Sequence, residues 1–465
     1  VNGGKKVVVI GLDGASPVLI EKWIDELPTF KRFKDEGLWG LSIPPIPAQT
    51  PVAWTTFMTG KNPGKHGIFS FAMRKPETYE RQIISPSMIG SKSLWRILSE
   101  HGKRVGVLNV PMARLEKING FMIPGFLAKS EGVPHPPELK EKLERRFGTI
   151  ERIAGDLDIP DLEKVKSDPN SFFDRVDEIT DELGEISLYL LKEEKWDFFM
   201  VVFMGTDRVQ HFFWKHIDES HPKYEENEFS AKAKKYYKKL DQIIARFLEA
   251  KPKDALTIVI SDHGFCPIWR EVLLNNYLEE QGMLKTRNGK IDLEKSKAVS
   301  YGYGDIWLNV KGREPRGILR QGGEYEAARE EIIQTLENLE IDGEKPIKRV
   351  EKRESIYWGS QVDKAPDLMA VFHPGWQAAR SQKIITRRSD KRYVNEDPRW
   401  SGGHDGTHDP MDVPGFLAMM GSGIKARHGV KANLYDIAPT ILSIYGIPVP
   451  NEMDGFPLPV LSGKP

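Results

Sequence analysis

The segment Val7-Val8-Val9-Ile10-Gly11-Leu12-Asp13-Gly14 constrains this chain more than any other. Four β-branched residues in succession, then glycine, leucine and a lone carboxylate, read as a strand that ends in an acid. No alternate position is polar, so the strand must be covered on both faces, as in a parallel sheet with helices on each side. Ligands of such sheets collect beyond the carboxyl ends of the strands, which puts Asp13 where a site is expected.

Residues 38–43, 103–109, 197–204, 256–260 and 413–420 read as further strands of the same kind. Helical spacing falls at 17–23, 30–36, 93–101, 172–193, 236–248, 324–336 and 434–445. Thr50 before Pro51 reads as a helix cap with proline at the first helical position, and Gly60 as the stop. The expectation is an α/β chain: a three-layer α/β/α core on a largely parallel sheet, with a smaller inserted subdomain. Residues 1–265 would form the first part of the core, with an insertion at about 124–170. Residues 266–400, where the periodicity loosens into short strands at 300–304, 306–310 and 368–372, would form the inserted cap or substrate subdomain. Residues 401–465 would close the core.

The chain of 465 residues carries 67 basic and 67 acidic side chains, so nothing global points to a nucleic-acid partner. Its one cysteine, Cys266, excludes an intrachain disulfide. No apolar run is long enough for a signal peptide or a membrane span. A cytoplasmic protein is expected.

Four strand ends or flanking loops bear acids and imidazoles: Asp13; Asp207 with His211; Asp262 with His263; and His408 ahead of the last strand. Asp207 and His211 are one helical turn apart and would share a face. Taken singly, each has a plainer reading: Asp13 or Asp262-His263-Gly264 as a turn, Asp207 and His211 as a surface pair, Thr50 as a cap. Together, three carboxylates and three imidazoles suit borderline divalent metals such as zinc or manganese, and they exceed what one tetrahedral site needs. Two metals about 4 Å apart can clamp the attacking and leaving oxygens of a phosphoryl transfer. A threonine hydroxyl at a helix N-terminus beside them would be an activated nucleophile.

In this order the motifs resemble the alkaline phosphatase superfamily and, within it, the type I phosphodiesterase/nucleotide pyrophosphatase family. The resemblance covers residues 5–67, 196–214, 256–265 and 403–445. It implies an alkaline-phosphatase-like fold, two divalent ions and Thr50 as the nucleophile. It assigns one metal to Asp13, Thr50, Asp262 and His263, and the other to Asp207, His211 and His408. His404 lies close by, but Thr407-His408 followed by Asp412-Val413-Pro414 is the better match to the final ligand segment. The implied substrate is a small phosphate ester, possibly a nucleotide, attacked in line to give a phospho-threonine. One position departs from the pattern. The usual asparagine after His66-Gly67 is Phe71 here, a change at the transferred phosphoryl group rather than at the metals. A phosphomutase or phosphonate hydrolase of the same superfamily, and a metal-binding protein without turnover, are the alternatives.

Overall fold

A computed structural model describes residues 5–128, 134–148, 150, 162–380 and 393–460. Eight strands form the central sheet. Their spatial order is Arg427–Asn433, Leu38–Ile43, Gly415–Met420, Leu256–Ile260, Val7–Leu12, Phe198–Phe203, Val105–Leu108 and Gly120–Ile123. Gly415–Met420 runs antiparallel to both its neighbours; every other pairing is parallel.

Val7–Leu12 lies near the middle and is wholly buried. Val8, Ile10 and Leu12 face one apolar core, Val7 and Val9 the other, as the two-residue period of a strand requires. The first core takes helices Pro17–Lys22, Pro28–Glu36, Pro169–Glu193, Gly205–Ile217 and Glu228–Ala250; the second takes Thr50–Thr59, Leu94–Glu100 and Ile437–Tyr445. The architecture is therefore the expected three-layer α/β/α core on a mostly parallel sheet. Gly11 has a packing reason: a Cβ there would sit 2.7 Å from the Trp54 ring of the Thr50–Thr59 helix.

Two strands of this sheet are absent from the sequence reading, and both are outermost. Arg427–Asn433 is exposed along most of its length, so it lacks the apolar run that marks a buried strand. Gly120–Ile123 has only four residues. The helix expected at 236–248 begins earlier, at Glu228, where Asn227 caps it by accepting from the Phe229 N–H at 3.0 Å. Its added turns are rich in lysine and alanine, which gives them propensity but no apolar stripe.

A second, four-stranded sheet orders Ala298–Val299, Asp305–Leu308, Leu368–Phe372 and Ile347–Lys352. With helices Leu274–Glu280 and Gly323–Glu337 it encloses an apolar cluster of its own. The strand expected at 300–304 is instead a turn with Gly302, Tyr303 and Gly304 in the left-handed region. In the stretch expected as an insertion, helix Glu138–Phe147 packs Leu139 and Leu143 on the first core. Residues 129–133, 149 and 151–161 of that stretch lie outside the described residues. Among the described residues, no helix is long and apolar enough to cross a membrane.

Candidate active site

Three parallel strands end side by side and deliver the acids. Asp13 follows Val7–Leu12, Asp262 follows Leu256–Ile260 by two residues, and Asp207 sits in the first turn of the helix after Phe198–Phe203. Gly14 turns the chain sharply here with a left-handed backbone, and its N–H donates to Asp262 Oδ1 at 3.1 Å. Asp13 Oδ2 accepts from the Trp54 indole at 2.7 Å. All three carboxylates are buried.

Thr50 proves not to be a cap. Gln49 holds the cap position and Thr50 is the first helical residue, one place later than the sequence suggested. Its hydroxyl instead lies 3.4 Å from both Asp13 Oδ1 and His263 Nε2.

Of the expected imidazoles, the structure brings His211 and His263 to the acids and leaves His408 out. His404 takes the place given to His408. Its Nε2 lies 3.1 Å from Asp207 Oδ1 and 3.2 Å from His211 Nε2, and His211 Nε2 lies 3.3 Å from Asp207 Oδ1. The reason is the backbone around each ring. His408 has Nε2 2.8 Å from the Trp376 carbonyl and Nδ1 3.3 Å from the His404 carbonyl, so both its nitrogens are engaged with the main chain. In His404, His211 and His263 only Nδ1 meets a carbonyl: that of Ala48 at 2.6 Å, Gly402 at 3.0 Å and Gly264 at 3.2 Å. A proton held there leaves each Nε2 lone pair facing the acids, the tautomer a ligating histidine needs.

Two groups of donors result, Asp207 with His211 and His404, and Asp13 with Asp207 and His263, so Asp207 belongs to both. Asp262 Oδ2 lies 3.3 Å from His263 Nε2 and extends the second group. Two observations test whether the groups suit cations. Among the described residues Asp207 Oδ1 and Asp262 Oδ2 are buried with no hydrogen-bond donor, a costly state for a carboxylate oxygen unless an ion meets it. The 3.1–3.3 Å triangle of Asp207, His211 and His404 is close to the roughly 3.3–3.5 Å between ligands of a tetrahedral zinc with bonds of about 2.0–2.2 Å. The residues fit divalent metals.

Electrostatics agree. Burial and then the charge of Asp207 push Asp13 up to about 7, and burial and then Asp13 push Asp262 well above the usual carboxylate range. Asp207 is held well below that range: burial opposes its ionisation, but His211, His404 and Arg208 outweigh it. Burial lowers His211 and His263, whereas for His404 burial is outweighed by Asp207 and Asp405, which raise it. The cluster has more anionic side chains than its protein surroundings can keep charged, which is the complement of a cation site.

Further polar and aromatic side chains stand near the cluster or in the cores beside it. Arg208 pairs with Asp207 at 3.2 Å and lies over the Phe126 ring. Phe71 lies between Phe126 and Tyr303, with ring centroids 6.3 and 6.0 Å away. Trp400 stands 3.6 Å from the His211 ring. Tyr301, Trp307 and Trp376 are in the core of the second sheet. Cys266 is buried packing, and His66 orders its loop by bonding Thr56 Oγ1 and the Ile68 N–H. The loop Gly402-Gly403-His404-Asp405-Gly406, with its glycines around a His-Asp, was the available signal for His404.

A doubled donor set beside the start of a helix, at the strand ends of a mostly parallel sheet, is the setting of a hydrolase of phosphoric esters. The chain belongs to the type I phosphodiesterase/nucleotide pyrophosphatase family, whose model matches residues 7–406. Among solved structures it is similar to murine ectonucleotide pyrophosphatase/phosphodiesterase 5, in an inactive threonine-to-alanine variant in complex with AMP. That match has a TM-score of 0.58 and 14% identity and covers 96% of each chain. The human counterpart gives a TM-score of 0.57 at 15% identity over 97% of each chain. Phosphonoacetate hydrolase from Sinorhizobium meliloti 1021, in complex with phosphonoformate, gives 0.56 at 15% identity over 95% of each chain. At such identities the likeness is one of fold. No curated protein matches the chain in sequence.

Proposed function

We propose that this hydrolase cleaves phosphodiesters with Thr50 as its nucleophile, on a centre of two divalent cations. Asp13, Asp262 and His263, with Thr50, would hold one cation; Asp207, His211 and His404 would hold the other. Mixed carboxylate and imidazole donors favour zinc or manganese. When bound, the pair supplies positive charge for the attacking, leaving and nonbridging oxygens of the phosphoryl group.

The observation that carries this reading is the setting of Thr50. A buried hydroxyl that gives up its capping role and turns toward Asp13 and His263 is placed for attack. Thr50 Oγ bonds to phosphorus as the bond to the leaving alcohol breaks, the hydroxyl proton passing to the departing oxygen, which leaves a phospho-threonine still esterified to the other alcohol. Water then cleaves the phosphorus–Oγ bond and restores the hydroxyl. His404 Nδ1, on the Ala48 carbonyl two residues before Thr50, ties the nucleophile's turn to the donor set.

The murine neighbour is bound to AMP and inactive as a threonine-to-alanine variant, which supports a nucleotide-like ester and a threonine nucleophile here. The 266–400 segment would act as the cap that sets specificity. A cytoplasmic location rests on the single cysteine, which suits a reducing compartment.

The test is Thr50→Ala in metal-loaded protein with bis(p-nitrophenyl) phosphate. Turnover should fall to background while the melting temperature and the metal of Asp207, His211 and His404, which Thr50 does not touch, are kept. Trapping by rapid acid quench should show a phosphorylated peptide containing Thr50 in the wild type. Unchanged turnover in the variant removes Thr50 as nucleophile.

A further inference from the structure

Arg380 follows the strand Gly375–Ala378, which pairs in parallel with Cys266–Val272. Its guanidinium lies 3.2 Å from the centroid of Trp400 and 5.1 Å from that of Tyr303, and it is ion-paired with Asp405. These neighbours lead straight to the site. Trp400 packs on His211, and Asp405 directly follows His404. The main-chain carbonyl of Asp405 accepts from Gln49 Nε2 at 3.1 Å, next to Thr50. Arg380 is thus one side chain removed from both imidazoles of one donor group and from the nucleophile's turn.

Resting on the hydrolase reading above, we propose that Arg380 determines specificity: its guanidinium receives a second anionic group, carboxylate or phosphoryl, carried by the substrate beside the phosphoryl group that Thr50 attacks.

Exposure supports a role beyond packing. The Asp405 side chain is 3% exposed and the Arg380 side chain 24%, so the cation is the half of the pair that reaches outward. A guanidinium has five N–H donors in a rigid fork, and Asp405 takes one of them among the described residues. Two aromatic rings fix its plane, so little freedom is left to lose when a planar anion docks. Bracing the loop needs only the bond to Asp405, and the rest of the fork is left for another acceptor. The Phe71 ring, 6.0 Å from Tyr303, supplies an apolar wall alongside.

The experiment compares kcat and KM of the metal-loaded full chain on bis(p-nitrophenyl) phosphate, ATP and phosphonoacetate. The first bears no second anion, the second a phosphoryl anion, the third a carboxylate. Arg380→Gln should raise KM on whichever anion-bearing substrate the wild type uses by roughly 10- to 100-fold, and by at least about tenfold more than on the plain diester. Arg380→Lys should recover part of that loss, since charge returns without the fork. The arm that responds, ATP or phosphonoacetate, identifies the anion. Equal losses on every substrate, or a fall in kcat with metal content at constant KM, make Arg380 a brace for the loop and overturn the proposal. Turnover of the plain diester alone overturns it too. No turnover of any of the three by the wild type overturns the hydrolase reading itself.

Discussion

At the scale of single residues, His404 and His408 differ in what their ring nitrogens are free to do. Both are buried histidines four positions apart. They differ in what the main chain offers each ring: one carbonyl for His404, two for His408. The prediction is direct. His404→Ala should lose one of the two metals, read by elemental analysis after dialysis, whereas His408→Ala should keep both and lose only stability. The reverse pattern would restore the sequence's own choice.

Asp13 makes a second prediction at this scale. In metal-free protein its folded value is about 7, against an ordinary 3.8, with burial the main cause. An acid raised on folding binds more protons in the folded state between those values. Its contribution is therefore most favourable below about pH 4 and is lost as pH rises through 7. Asp13→Asn should raise the melting temperature of chelated protein at pH 8, and the gain should shrink toward pH 4. A gain independent of pH would show that the carboxylate's charge is not its source. The same variant should bind metal poorly, so function and metal-free stability pull in opposite directions at this position.

At the scale of elements, the site depends on the seating of one helix. Thr50–Thr59 carries the proposed nucleophile at its start and, one turn on, Trp54, whose indole N–H holds Asp13. Gly11 lets that indole lie against the central strand. Gly11→Val should cost about 1–3 kcal/mol by overpacking, measured by denaturant unfolding. It should also lower kcat more than the stability loss explains, because the clash displaces Trp54 and with it Asp13. Full activity in a folded Gly11→Val protein would uncouple the helix seat from the site. Sequence reading found this helix from its Thr50-Pro51 start and Gly60 stop, and the central strands because burial on both faces leaves an unmistakable apolar run. It missed Arg427–Asn433 and misplaced the strand before Tyr303, where exposure or left-handed turns replace that run.

At the scale of the whole molecule, the donors come from strands and loops separated by up to 391 positions, and only sheet topology brings Asp13 to His404. Metal bound to such a set must stabilise the folded chain by mass action, by about 4 kcal/mol at a thousandfold excess over Kd. Chelation should abolish activity, lower the melting temperature and be reversed by zinc or manganese. Activity surviving complete metal removal would refute the centre.

The sequence by itself determined the chemistry available: buried strands ending in acids, a threonine opening a helix, and imidazoles at family spacing. These are local facts, carried by residue type and period. The tertiary structure decided which imidazole joins the acids, that Asp207 belongs to both donor groups, and that Arg380, Trp400 and Tyr303 stand together beside them. Those outcomes depend on which backbone carbonyls face each ring once distant segments pack, and no local pattern records that.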